Sequence, residues 1–167
     1  ISDERVVFCD NAEYRKRQDE LEKAVLNGAR VVIVTDMPIN IFNDDVLLKI
    51  HVIAEEIGTC RLAWHSDTNK FVKEFPEMAF RDFYNADTDY YDLASWFKFD
   101  WDGSEEILYT MVDESSDKYV LHKPHKNIMA VKRFGKGEII LTTLTALNGC
   151  IGHNPYLGKL FVNLIEK

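Results

Sequence analysis

Apolar residues arrive along this chain in two rhythms. Arg5-Val-Val-Phe-Cys9 and Arg30-Val-Val-Ile-Val-Thr35 are short solid runs rich in β-branched residues, as in strands buried on both faces of a sheet. Between them Tyr14, Gln18, Leu21 and Val25 recur at helical spacing among charged residues, which predicts a helix over Ala12–Asn27. Asp10 and Asn11 are its candidate caps. Gly28 is its stop, because glycine takes the left-handed conformation of a helix C-terminus without strain. Strand, helix, glycine, strand makes a βαβ unit with parallel strands.

The same reasoning runs on. Asn43-Asp44-Asp45 reads as the cap of a helix to Ile57, with Val46, Leu47, Ile50, Ile53, Ala54 and Ile57 inward and Gly58 ending it. Arg61–His65, Glu106–Val112 and Tyr119–Pro124 are further strand candidates. Gly135-Lys136-Gly137 turns Ile128–Arg133 back into Glu138–Thr145 as a hairpin. A last helix opens with Asn154 as cap and Pro155 in the first turn, with Leu157, Leu160, Phe161, Leu164 and Ile165 as its apolar face. The expected fold is therefore α/β, a three-layer sandwich. It has a mainly parallel central sheet, a late β-hairpin and a C-terminal helix, all in one domain over residues 1–167.

Composition narrows the function classes. No apolar run is long enough for a membrane span, and a net charge of −8 argues against nucleic acid as partner. Cys9, Cys60 and Cys150 are too far apart for a disulfide framework or a zinc knuckle, and Cys9 reads as a small buried hydrophobe. Pro124 keeps His122 and His125 off a shared helical face, so no metal site and no cofactor are expected. Ile1-Ser-Asp directly before a core strand reads as the start of a domain excised from a longer chain; a tag scar or a processed N-terminus is the alternative.

Two regions carry candidate chemistry. Asp36 leaves the carboxyl end of the second strand, the edge where open parallel sheets usually bind ligands, although a loop aspartate that merely turns the chain looks the same. With His65 and Asn148–His153 it would make a small-molecule or sugar site if those loops share one end of the sheet. Phe80–Asp102 holds nine of the chain's twenty aromatics, interleaved with six aspartates. That mixture fits a sugar-stacking platform, a protein interface or a completed core. Tyr90, Tyr91, Trp96 and Trp101 are the expected surface members, and Phe83, Phe97 and Phe99 the expected core members, in a largely irregular excursion from the sheet. Asp87-Thr-Asp89-Tyr-Tyr-Asp92 lacks the glycine and glutamate of a calcium loop.

The late pattern Arg133-Phe-Gly-Lys-Gly-Glu-Ile-Ile-Leu-Thr-Thr-Leu144, then Asn154-Pro-Tyr-Leu and Leu160-Phe-Val-Asn-Leu-Ile165, resembles the C-terminal domain of some family 2 glycoside hydrolases, the β-galactosidase-like and β-glucuronidase-like members. Leu21–Val34 and Phe80-Arg-Asp-Phe-Tyr84 are similar to other parts of it. The resemblance implies a class I glutamine amidotransferase-like, flavodoxin-like fold without its catalytic residues. It also implies an accessory role beside the other domains of a parent enzyme, or toward carbohydrate. The paired glutamates of those glycosidases lie on a (β/α)8 barrel, one in an Asn-Glu dipeptide that this chain lacks. The competing enzyme reading is a divergent amidotransferase-like hydrolase with Cys150 as nucleophile. Asn148-Gly149-Cys150-Ile151-Gly152 has asparagine where the nucleophile turn needs its first glycine, and no His-x-Glu follows.

Overall fold

The computed structural model describes residues 5–50, 64–77, 79–80, 84–85, 90–91, 97–111, 125–144 and 155–167. Strand β1 (Val6–Asp10) leads through α1 (Asn11–Lys16) and α2 (Gln18–Leu26) into β2 (Arg30–Val34), parallel to β1. The expected single helix is two. Arg17 breaks it at φ −120°, ψ 23°, and its guanidinium reaches Glu13 on one side of the break and Glu20 on the other. Both expected end signals are used. The Asp10 carboxylate accepts from the Glu13 N–H, and Gly28 takes φ +116° just past Asn27. Tyr14, Leu21 and Val25 are fully buried.

The helix expected from Asn43 is absent over 43–50. In its place β3 (Ile39–Ile41) turns back into β4 (Asp44–Val46), and β5 (Leu48–Ile50) follows. Phe42 and Asn43 both have positive φ, 49° and 69°, as the two central residues of a type I′ hairpin turn must. A left-handed phenylalanine is unfavourable by itself. Here the Phe42 N–H donates to Glu22 at 2.8 Å and its ring stacks on Phe134 at 4.3 Å between centroids. Residues 51–57 of that expected helix lie outside the described residues, as do 61–63 and 119–124 of the expected strands.

The remaining strands are β6 (Trp64–His65), β7 (Tyr84–Asn85), β8 (Tyr90–Tyr91), β9 (Phe97–Phe99), β10 (Glu105–Met111), β11 (His125–Phe134) and β12 (Gly137–Thr142). Helix α3 (Pro155–Glu166) starts at the expected proline. Among the described residues the main sheet has eight strands, six of them in the order β1-β2-β12-β11-β10-β6. β1, β2 and β12 are parallel, whereas β11, β10 and β6 alternate antiparallel. The sheet is thus mixed, not mainly parallel. A solid apolar run marks burial on both faces but not direction, and the two-residue Gly135–Lys136 turn forces β11 and β12 to oppose. Gly135 supplies the positive φ, 61°, at the first turn position.

Each face of the sheet carries its own core. Val31, Ile33, Ile139 and Leu141 point to the side of α1, α2 and the β3–β4 hairpin, with Phe99 and Trp101. Val32 and Ile140 point to the other side, where α3 and the turn residues Phe71, Val72 and Phe75 lie. All six residues of β12 are buried, as expected of a central strand covered on both faces. On α3, Leu157, Leu160 and Leu164 are buried, but Ile165 is 55% exposed.

Of the aromatic-acidic stretch, residues 81–83, 86–89 and 92–96 lie outside the described residues, Phe83 among them, and the described part holds three short strands. β7 and β8 form a two-stranded ribbon of their own, and β9 pairs with β11 and β5. Phe80 and Phe99 are core. Trp101, expected at the surface, is 6% exposed: its indole N–H finds Asp44 at 3.3 Å and its ring lies against Phe134. An indole is buried without penalty once its one donor is satisfied. Lys132 completes this joint, 2.7 Å from Asp44.

A Cβ on Gly137 would overlap the carbonyl oxygens of Ala29 and Val25, so the turn after α2 can sit on β12 only over glycine. Gly137→Ala is expected to lower stability by about 3 kcal/mol through this overlap. Urea denaturation of the variant against wild type measures it; a midpoint unchanged from wild type would refute the close approach.

Candidate functional site

The parallel strands define two ends of the sheet. At the carboxyl end of β1 and β2 the polar side chains are turned on one another. The Asn11 amide donates to the Thr35 hydroxyl at 2.7 Å, and that hydroxyl donates to the Met37 carbonyl at 2.7 Å. At the end of β12, the buried Thr142 hydroxyl donates to the Ile128 carbonyl at 2.9 Å. Asp36 is exposed in the bend after β2. His65 is not beside it. The register row Val34–Thr142–Met129–Leu108–His65 crosses five strands, which sets His65 four strand spacings, about 19 Å, from Val34. The His65 ring is buried between the carbonyls of Ser66 and Pro76 and meets Phe80 edge-on, a packing role.

Asn148–His153, including Cys150, lies outside the described residues, and so does Trp96. Tyr90 and Tyr91 are placed as backbone in β8. Cys9 is buried as expected, and burial, reinforced by Asp10 and Glu13, pushes its thiol up to about 12, far from a nucleophile's range. Among the described residues no three His, Cys, Asp or Glu side chains converge as a metal ligand set.

The opposite, N-terminal end of the parallel strands holds a cleft of about 560 Å3. Its floor is a charged row. Val6, Arg30, Glu138 and Arg133 are register neighbours on β1, β2, β12 and β11, all on the α3 face. The Glu138 side chain is 10% exposed. Its Oε1 accepts from Arg30 Nε at 2.6 Å and Lys70 Nζ at 2.9 Å, and its Oε2 from Lys70 Nζ at 3.2 Å. Arg30 also donates to the Leu164 carbonyl, which caps the C-terminal end of α3 with a cation. Arg30 and Lys70 both lie over the Phe71 ring, 4.8 and 4.7 Å from its centroid. The Phe71 carbonyl in turn accepts from the buried Asn163 amide of α3 at 2.6 Å.

Burial alone would push the Glu138 carboxyl up. The Lys70 hydrogen bonds and the Arg30 charge outweigh it and hold the group below its ordinary value. None of these residues stands out in the sequence as a site residue. Each is an ordinary charge flanking a strand or turn; the one available signal was the position of Arg30 and Glu138 at the mouths of two apolar runs.

Comparison with known proteins finds no family model, no curated protein and no solved structure that matches the chain.

Glu138→Gln is expected to cost about 2 kcal/mol, since it leaves the mostly covered Arg30 without its counter-charge, while Lys70, 38% exposed, can turn to water. The pH dependence follows from the depressed value. The stabilisation is complete above the ordinary carboxyl value of 4.5 and is lost as pH falls through the lower folded value. Urea midpoints of wild type and Glu138→Gln, measured from neutral to acid pH, should converge below about pH 4.5. Parallel curves would remove Glu138 as the linked group.

Proposed function

We propose that this chain is a non-catalytic accessory domain of a carbohydrate-active hydrolase, built on the three-layer, glutamine amidotransferase-like plan. Its partners on this reading are the other domains of the parent enzyme, and carbohydrate. The carrying observation is the arrangement of the terminal elements. The hairpin Gly135–Lys136, strand β12 and helix α3 are the stretch whose sequence resembles family 2 glycoside hydrolase C-terminal domains. They form the centre of the sheet and the cover of one face, while α1 and α2 cover the other. Parallel β1, β2 and β12 supply the α/β half of such a plan, and the antiparallel β11, β10 and β6 depart from its flavodoxin-like form.

At the carboxyl edge the described Asn11, Thr35 and Thr142 turn their hydrogen bonds to the fold itself.

Two measurements test it. Purified protein should turn over neither chromogenic β-galactosides and β-glucuronides nor glutamine; glutamine hydrolysis that disappears in Cys150→Ala would establish the amidotransferase-like alternative instead. The reading frame that encodes the chain should carry a barrel domain with an Asn-Glu acid/base upstream, and a frame holding this domain alone would overturn the parentage.

A further inference from the structure

The cleft at the N-terminal end of the parallel strands concentrates positive charge in an acidic protein. Arg5, Arg30, Lys70, Arg133, Lys136 and Lys167 line it against only Glu138 and Glu166, while the whole chain carries −8. The cations are of two kinds. Arg30 and Lys70 are consumed by Glu138 at the floor, and Lys167 pairs with Glu74 at 3.0 Å outside the cleft. Arg5, Arg133 and Lys136 are exposed and make no side-chain ion pair or hydrogen bond among the described residues.

These three come from separate places in the fold. Arg5 precedes β1, Arg133 is near the end of β11 and Lys136 is in the hairpin turn. Arg133 is next to Glu138 in the register row, yet both Glu138 oxygens are already taken by Arg30 and Lys70. Among the described residues none of the three side chains has a partner, so their charge at the cleft is left for an anion to neutralise.

We propose that this cleft binds a small ligand bearing two or more anionic groups, phosphate or carboxylate, held by Arg5, Arg133 and Lys136 above the Arg30–Glu138–Lys70 floor, whose two cations outnumber its one carboxylate. Guanidinium forks match both oxyanions in bidentate geometry, and Lys136 adds a point charge. The volume lies within the range of small-molecule sites. None of the described lining residues is aromatic, so the cleft lacks the stacking surface that a neutral sugar needs. The inference goes beyond the accessory reading and does not depend on it.

Isothermal titration calorimetry of the full chain with pyrophosphate, citrate, acetate and glucose tests it, at physiological and at raised ionic strength. Saturable one-to-one binding of pyrophosphate or citrate is expected, weakened by salt, with acetate and glucose weak or silent. The tighter of the two assigns a phosphate or a polycarboxylate ligand, and either upholds the proposal. Arg133→Ala and Lys136→Ala should each weaken binding about tenfold, the worth of one charge-assisted hydrogen bond. Their thermal midpoints should match wild type, because neither side chain holds the fold. No saturable binding of either polyanion, or binding that both variants retain in full, overturns the proposal. A missing upstream barrel would overturn only the hydrolase parentage.

Discussion

Glu138 is a carboxylate taken out of water, and two cations follow it. Removing an ion from water costs several kcal/mol, which only close, well-directed counter-charges recover. Arg30 and Lys70 provide them, and each brings part of the structure along. Arg30 belongs to β2 and also closes the end of α3; Lys70 belongs to the turn that carries Phe71. Phe71 is fully buried under both cations and accepts from Asn163 of α3. One side chain on the central strand thus fixes a neighbouring strand, a turn and the terminal helix in mutual register. The apolar contacts of Leu157, Leu160 and Leu164 supply most of the burial on that face, but they are non-directional. The ion cluster adds the directed contacts that the leucines lack.

Local chemistry was legible in the sequence wherever one residue type suffices to decide. Asp10, Gly28, Gly135 and Pro155 each mark an element boundary where they stand. Asn43-Asp44-Asp45 was not decisive, because asparagine and aspartate serve a helix cap and a left-handed turn equally well. The alternation of Ile39, Asn40 and Ile41 favoured the hairpin, and the stack on Phe134 settled it from a distant strand. Trp101 looked like a surface residue until Asp44 and Lys132 supplied partners that only the fold brings near. The cleft was the least legible feature. Arg30, Glu138 and Arg133 are neighbours solely through the register of β2, β12 and β11.

Charge is distributed unevenly over this molecule. At physiological salt, exposed charges farther apart than about 8 Å are largely screened from each other. An anion at the cleft then meets chiefly the cleft's own cations, and the acidic remainder of the surface acts only on what approaches it closely.

The position of β12 in the sheet has a further consequence for how the chain comes to be folded. β2 lies between β1 and β12, yet Arg30 and Glu138 are 108 residues apart in sequence. During synthesis β1, α1, α2 and β2 emerge early as a nearly complete unit whose inner edge has no neighbour. That open edge, with Val31, Val32 and Ile33 beside it, must wait until β11, the turn and β12 have been made. Loop closure over such a span is slow, and an unpaired apolar edge is a template for association with other chains. The fold therefore asks for protection of its β1–β2 unit while the rest is being synthesised, and chains halted before Gly137 would be the form most prone to aggregate.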